Sequence, residues 1–215
     1  MGKAKKTRKT AGRASVRTKP AGRTGMVKRT TRETDILLRL NLDGTGRYEI
    51  DTPVPFLSHM LAQLAVHGAM DLEVRASGDV EVDAHHTVED VAICLGQAFR
   101  EAAGDKAGIQ RFGFFAAPLD EACCETVIDL SGRPHVVFNG DVPSGKIGNF
   151  DVEMVSHFFQ SFANHALVTL HLTVRYGENR HHIVEALFKS FARALRVAVS
   201  PAASGGKPAS TKGVL

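Results

Sequence analysis

The sequence predicts an α+β protein built from two duplicated half-domains. Each half runs strand-strand-helix-strand-helix and forms a mixed sheet with two helices on one face. Three observations carry this. "DAHHTVEDVAICLGQAF" at 83–99 and "NRHHIVEALFKSFARAL" at 179–195 each open an apolar-striped helix with His-His-x-x-Glu. Ser58-His59 and Ser156-His157 stand at matching places on an earlier helix, 26 residues before His85 and 24 before His181. Alternating apolar and polar runs surround both pairs of helices in the same order.

In the first copy, "TDILLRLNLDG" alternates and ends in Asp-Gly, a strand followed by a turn, and "RYEIDT" continues as a short second strand. Pro53 and Pro55 break the sheet, "FLSHMLAQLAVHGAM" has helical spacing, and "DLEVRASG" alternates again. The His85-His86 helix then runs to about Ala103 and stops near Gly104. In the second copy, "CETVIDLSGR" and "HVVFNG" read as strands, "FDVEMVSHFFQSFANHA" as a helix, "VTLHLTVRYG" as a strand and the His181-His182 segment as the last helix. The divisions expected are a disordered basic tail over 1–30, half-domains over 31–112 and 113–200, and a C-terminal tail over 201–215.

Composition narrows the function. The 215 residues carry a net charge of +4, but twelve of the 27 Lys and Arg lie in residues 1–32, which contain no acid. From Glu33 onward 15 bases face 23 acids, so the body is acidic. The basic tail lacks hydrophobic periodicity and reads as a dispensable extension, with Met26 a plausible alternative start. A nucleic-acid arm finds no support in the acidic body, and a transit peptide would need a Leu/Phe stripe that is missing. No run approaches the roughly 20 apolar residues of a membrane span. Cys94, Cys123 and Cys124 have no metal-motif spacing, which fits a reduced, cytoplasmic setting.

The paired histidines point to metal. Residues four apart share a helix face, whereas neighbours point about 100° apart. His85 with Glu89, and His181 with Glu185, can each grip one ion, while His86 and His182 must serve another. Two motifs thus imply two ions, each drawing on both copies. Adding His59 and His157 gives three His and one Glu per ion, leaving two octahedral positions open for substrate. This nitrogen and oxygen donor set suits Mn²⁺, Fe²⁺, Co²⁺ or Zn²⁺ and does not choose among them. A di-iron carboxylate protein would place Glu before His on four long helices, unlike this order. His135, His165 and His171 fall outside the repeat and read as structural, while His67, one turn from Gln63, can line the same pocket.

At this point the chain resembles the imidazoleglycerol-phosphate dehydratases of histidine biosynthesis, over residues 28 to 215. The resemblance rests on "RETDILLRLNLDGTG", "PFLSHMLAQLAVHG", "ASGD", "DAHHTVEDVAICLGQA", "GIQRFGFFAAPLDEA", "DLSGRP", "HFFQSFA", "GENRHHIVEALFKSFARAL" and "STKGVL". It implies two Mn²⁺ per active site, built at contacts between subunits of a 24-mer. One ion takes His59, His86, His181 and Glu185, and the other takes His85, Glu89, His157 and His182. It further implies that D-erythro-imidazoleglycerol phosphate is dehydrated to imidazoleacetol phosphate through a metal-bound imidazolate, a positioned carboxylate moving the proton. Glu33 in "RETD" matches the acid/base position, and Asp120 in "PLDEA" is a second candidate. Gln63, Arg111, Arg133, Lys189, Ser210 and Lys212 match phosphate-binding positions, for which the arginine fork is suited. The terminal tail would then close over the site. Ser58 and Ser156 depart from the family's usual acids beside His59 and His157, where a carboxylate would orient the imidazole.

Overall fold

The structure, a computed structural model, describes residues 22–202, 206, 207 and 209–212. Strands β1 (Thr24–Thr30), β2 (Thr34–Asn41) and β3 (Tyr48–Asp51) precede helix α1 (Pro55–Gly68), strand β4 (Asp71–Gly78) and helix α2 (His85–Ala103). The second half repeats the order with β5 (Phe112–Leu119), β6 (Ala122–Asp129), β7 (His135–Asn139), α3 (Met154–Ala166), β10 (Thr169–Tyr176) and α4 (Arg180–Val199). A small hairpin of β8 (Lys146–Ile147) and β9 (Phe150–Asp151) is inserted before α3. The sheets have the same strand order, β1-β2-β4-β3 and β5-β6-β10-β7. The last pair is parallel in both and the others antiparallel.

Two expectations need correction. Residues 24–30, assigned to a disordered tail, form β1, and Phe112–Leu119, left without a strand, form β5. Both are outer strands whose partner, not their own alternation, makes them strands. β1 carries Lys28 and Arg29, and Arg29 folds in beside buried Asp90, with which it forms an ion pair at 2.9 Å. β5 carries Gly113 and Pro118, residues poor in strand propensity. Each half is therefore strand-strand-strand-helix-strand-helix. Residues 1–21 of the expected tail lie outside the described residues. Met26 sits within β1, its N–H donating to Glu101 at 3.1 Å. Nor does β3 extend the β2 hairpin, since it crosses to lie parallel to β4.

The helices lie between the two sheets. α2 packs on β1 and β2, and α4 on β5 and β6; across the middle, α2 meets α3 and α1 meets α4. Glycines set these approaches. A Cβ on Gly25 would fall 2.1 Å from the Ala98 carbonyl oxygen of α2, and one on Gly113 would fall 1.9 Å from that of Ala194 in α4. On α2 itself, Gly96 brings the helix so close to α3 that a Cβ would stand 2.6 Å from the Phe162 carbonyl oxygen. The core between α3 and α4 is aromatic, with Phe159 contacting Phe158, Phe188 and Phe191 at centroid distances of 5.0–5.5 Å. Among the described residues no helix covers the outer faces of the sheets, which leaves Met26, Tyr48, Phe112, Phe114 and Val127 exposed.

Candidate active site

α1 begins with Pro55 in its first turn, where the missing N–H costs nothing, and buries Phe56, Leu57, Met60, Leu61 and Leu64. That buried stripe turns His59 and Gln63 toward α4. α4 is capped by Asn179, whose side chain accepts the His181 N–H at 2.9 Å. At α2 the same task falls to Asp83, which accepts the His85 N–H at 2.7 Å. Both paired-histidine motifs therefore open helices, as the sequence predicts.

His59, His181 and Glu185 converge, with ligand atoms all within 4.8 Å of one another. Glu185 Oε2 lies 3.1 Å from His59 Nε2 and 3.2 Å from His181 Nε2, and Oε1 lies 2.7 Å from Lys189 Nζ. Burial opposes ionisation of Glu185, yet the Lys189 ammonium and the His59 ring hold its carboxyl at about 2. The carboxylate is thus charged and faces two ring nitrogens, the donor set a divalent cation needs. Among the described residues this is the one three-donor cluster close enough for a single ion. Gln63 reaches His59 at 3.5 Å. His67 lies in the field of Lys189 and Arg193; burial first, then those charges, lower its pKa and keep the ring neutral.

A second group is looser. The His85 and His157 rings approach to 5.0 Å between centroids, and Glu89 follows His85 by one helical turn. His86 and His182 join neither group. His86 Nδ1 meets the Asp79 carboxylate at 3.0 Å, with Glu33 Oε1 3.9 Å from its Nε2. His182 Nδ1 meets Glu121 at 2.6 Å, with Asp120 Oδ2 3.9 Å from its Nε2. These hydrogen bonds raise the pKa of both imidazoles and, at Glu121, hold the carboxyl at about 2. Glu33 lines an open cavity of about 400 Å³ with Thr31, Arg32, Ser77, Asp79 and Glu81. A larger cavity of about 670 Å³ lies on the outer face of the first sheet and contains none of these histidines.

The expected substrate-binding residues divide between two ends of the molecule. Lys189, Gln63 and His67 accompany the Glu185 cluster. Arg111 sits at the C-terminal end of α4, its backbone N–H donating to the Ala198 carbonyl oxygen. Its guanidinium is held by Asp129 at 2.7 and 3.1 Å and donates to the Ala209 carbonyl oxygen at 2.6 Å. Ser210 and Lys212 follow on that segment, and Arg133 lies nearby, its carbonyl oxygen accepting from Ser131 and Thr169. The described part of the C-terminal segment therefore lies at the end of α4 opposite His181, about 30 Å away at 1.5 Å per residue over 20 residues. It does not cover the histidines of its own chain.

Ser58 and Ser156 bond within their surroundings, to Thr52 Oγ1 at 2.8 Å and the Glu153 carbonyl oxygen at 3.0 Å. The residues missed from the sequence are Asp79 and Glu121. They stand in "ASGD" and "PLDEA", stretches that supported the resemblance, and aligning the two repeats strand by strand would have singled out Glu121 as the counterpart of Glu33. His165 is structural, its Nδ1 donating to the Ser161 carbonyl oxygen at 2.8 Å, while His135 and His171 lie exposed on sheet strands.

The duplicated sheets, the helices between them and the histidine–carboxylate clusters at helix starts define a two-half α+β protein whose candidate site is built from histidines and carboxylates. Residues 52–195 match the family model described as imidazoleglycerol-phosphate dehydratase. The chain is 55% identical over 189 residues to the imidazoleglycerol-phosphate dehydratase of Gloeobacter violaceus, covering 87% of this chain and 95% of that protein. It is 53% identical over 208 residues to that of Anaeromyxobacter dehalogenans, covering 94% and 99%. The crystal structure of imidazoleglycerol-phosphate dehydratase from Staphylococcus aureus superposes with a TM-score of 0.76 at 35% identity, over 83% of this chain and 99% of that one. The chain belongs to the imidazoleglycerol-phosphate dehydratase family and is a lyase of histidine biosynthesis.

Proposed function

We propose that the dehydration of D-erythro-imidazoleglycerol phosphate to imidazoleacetol phosphate depends on two divalent ions per active site, with Mn²⁺ the first choice and Fe²⁺, Co²⁺ or Zn²⁺ compatible with the same donors. His59, His181 and Glu185, joined by His86, would hold one ion; His85, Glu89 and His157, joined by His182, would hold the other. The single observation that carries this reading is the convergence of His59, His181 and charged Glu185 within 4.8 Å. Ions bound there would supply Lewis acidity toward the imidazole ring of the substrate.

The remaining histidine of each set lies apart from the other three ligands in one chain, and Arg111, bonded at Ala198, is about 20 Å along α4 from Glu185 at 1.5 Å per residue. A substrate this small cannot bridge that span. Complete sites therefore form between chains, which supports self-association and agrees with the 24-mer that the family resemblance implies. Arg111, Arg133, Ser210 and Lys212 of one chain would grip the phosphate, with Lys189, Gln63 and His67 of another beside the ring. In that arrangement the C-terminal segment closes over a neighbour's site. Loss of water leaves an enol, so a base must take a proton from carbon. Glu33 serves as that base: its carboxylate faces an open cavity beside His86. Asp120, beside His182, is the second candidate. No helix among the described residues is long and apolar enough to cross a membrane, and we place the enzyme in the cytoplasm.

The test is turnover of imidazoleglycerol phosphate by chelator-stripped protein before and after Mn²⁺ is restored. Activity should vanish and return. Full turnover by rigorously stripped protein would overturn the metal dependence.

A further inference from the structure

The two halves share a strand register, which makes their differences readable. Thr24 pairs with Asn41 and Asn41 with Asp71; Phe112 pairs with Asp129 and Asp129 with Thr169. Asn41 thus corresponds to Asp129, Thr34 to Ala122 and Glu33 to Glu121. At the far end of the sheet the register breaks, because β10 carries a bulge between Val174 and Tyr176 that β4 lacks. The extra residue puts Gly177 where Gly78 stands: a Cβ on Gly78 would meet Thr34 and Thr87, and one on Gly177 would meet Ala122 and Ile183. Asp79 therefore has Glu178 as its counterpart.

The bulge changes what these carboxylates do. In the first half the Asp79 N–H donates to the Glu33 carbonyl oxygen, and the Asp79 carboxylate accepts from His86 Nδ1. In the second half the Glu178 and Asn179 N–H groups donate to the Glu121 carboxylate at 3.2 and 2.8 Å, drawing it over His182 Nδ1 at 2.6 Å. Bulges re-aim side chains in this way. A carboxylate only accepts, so in both halves Nδ1 carries a proton, and in the neutral ring, the form that binds a cation, Nε2 is the lone-pair nitrogen.

We propose that Asp79 and Glu121 are the positioning residues of the site. Each locks one histidine, His86 or His182, in the tautomer that presents Nε2 to a divalent cation, and they take up this task from non-equivalent places in the repeat. The consequence is a division of labour between counterparts: Glu121 is committed to His182, whereas Asp79 relieves Glu33 of that duty and leaves its carboxylate available for proton transfer. The inference rests on the two-ion reading above.

The experiment measures Mn²⁺ stoichiometry and affinity on the full-length protein by equilibrium dialysis and electron paramagnetic resonance, alongside turnover at saturating Mn²⁺. Asp79→Asn and Glu121→Gln should each weaken one of the two Mn²⁺ by roughly 10- to 100-fold, with Ala replacements weaker still. Excess Mn²⁺ should restore most of their turnover. Glu33→Gln should bind both ions as the parent does and stay inactive however much Mn²⁺ is added. A merely structural carboxylate would lower the melting temperature of the variants without shifting Mn²⁺ affinity, and that outcome overturns the proposal, as does unchanged affinity in both. Should a replacement not fold, Asp79→Glu and Glu121→Asp, which keep the acceptor, supply the comparison; unaltered Mn²⁺ affinity when the carboxylate is displaced by one methylene in both likewise overturns it. Failure of the parent protein to bind Mn²⁺ would instead remove the two-ion reading itself.

Discussion

The two ends of α4 are chemically unlike. One end gathers His181, Glu185 and Lys189 with His59; the other gathers Arg111, Asp129 and the segment bearing Ser210 and Lys212. One end offers ring nitrogens around a carboxylate, suited to a cation, and the other offers guanidinium and hydroxyl groups, suited to phosphate. A rigid 20-residue helix keeps them apart. On the proposed reading each end is half of a site, and the distance between them is a physical argument for assembly that neither end makes alone.

The sharpest way to break this comparison is to mix chains. His181→Ala and Arg111→Ala should each be nearly inactive alone, and unfolding them together and refolding should restore a clear fraction of activity. Recovery follows if some sites take their histidines and their arginine from different, intact chains. A mixture as dead as its components would mean that each chain serves its own site.

Glu33→Gln should lower kcat by roughly 10²- to 10⁴-fold, the range for a positioned proton-transfer group. Stopped turnover with an unaltered KM would fit that assignment, whereas a raised KM with kcat intact would move Glu33 to substrate binding.

Phe159→Ala tests the frame that holds the two ends apart. Phe159 is fully buried among three other phenylalanines, so its loss should cost about 3–5 kcal/mol in chemical denaturation. A cost below about 1 kcal/mol would mean that the aromatic layer collapses to fill the space.

The smallest effect concerns the thiols. Burial pushes both Cys94 and Cys124 up to about 12. A raised pKa keeps the thiol protonated at pH 8, and the thiolate is the reactive form. Native protein at pH 8 should therefore take up alkylating reagent at half-buried Cys123 alone, as read by mass spectrometry of the modified peptides. Rapid labelling of Cys94 or Cys124 would reveal opening of the helix layer.

Much of this site is legible before folding because its signals are local. His85 and Glu89, or His181 and Glu185, share a face through helical periodicity alone, and the register between His59 and His157 repeats because the half-domain was duplicated. Asp79 and Glu121 are different. Asp79 reaches His86 across a loop, and Glu121 reaches His182 from the turn between β5 and β6, 61 residues away, as a bulge redirects two backbone N–H groups.

The sequence by itself determined the element order of the repeat apart from β1 and β5, the helix starts and the pairing of His181 with Glu185 on one helix face, since 3.6- and 2-residue periods, prolines and caps act over a few residues. Only the tertiary structure decided that 24–30 and 112–119 are strands, because an outer strand takes its hydrogen bonds from a distant partner. It also decided that Arg111 and the C-terminal segment lie most of a helix length from His181, and that Glu33 and its counterpart Glu121 differ in their hydrogen bonds. These depend on contacts between residues far apart in the chain, which no local pattern encodes.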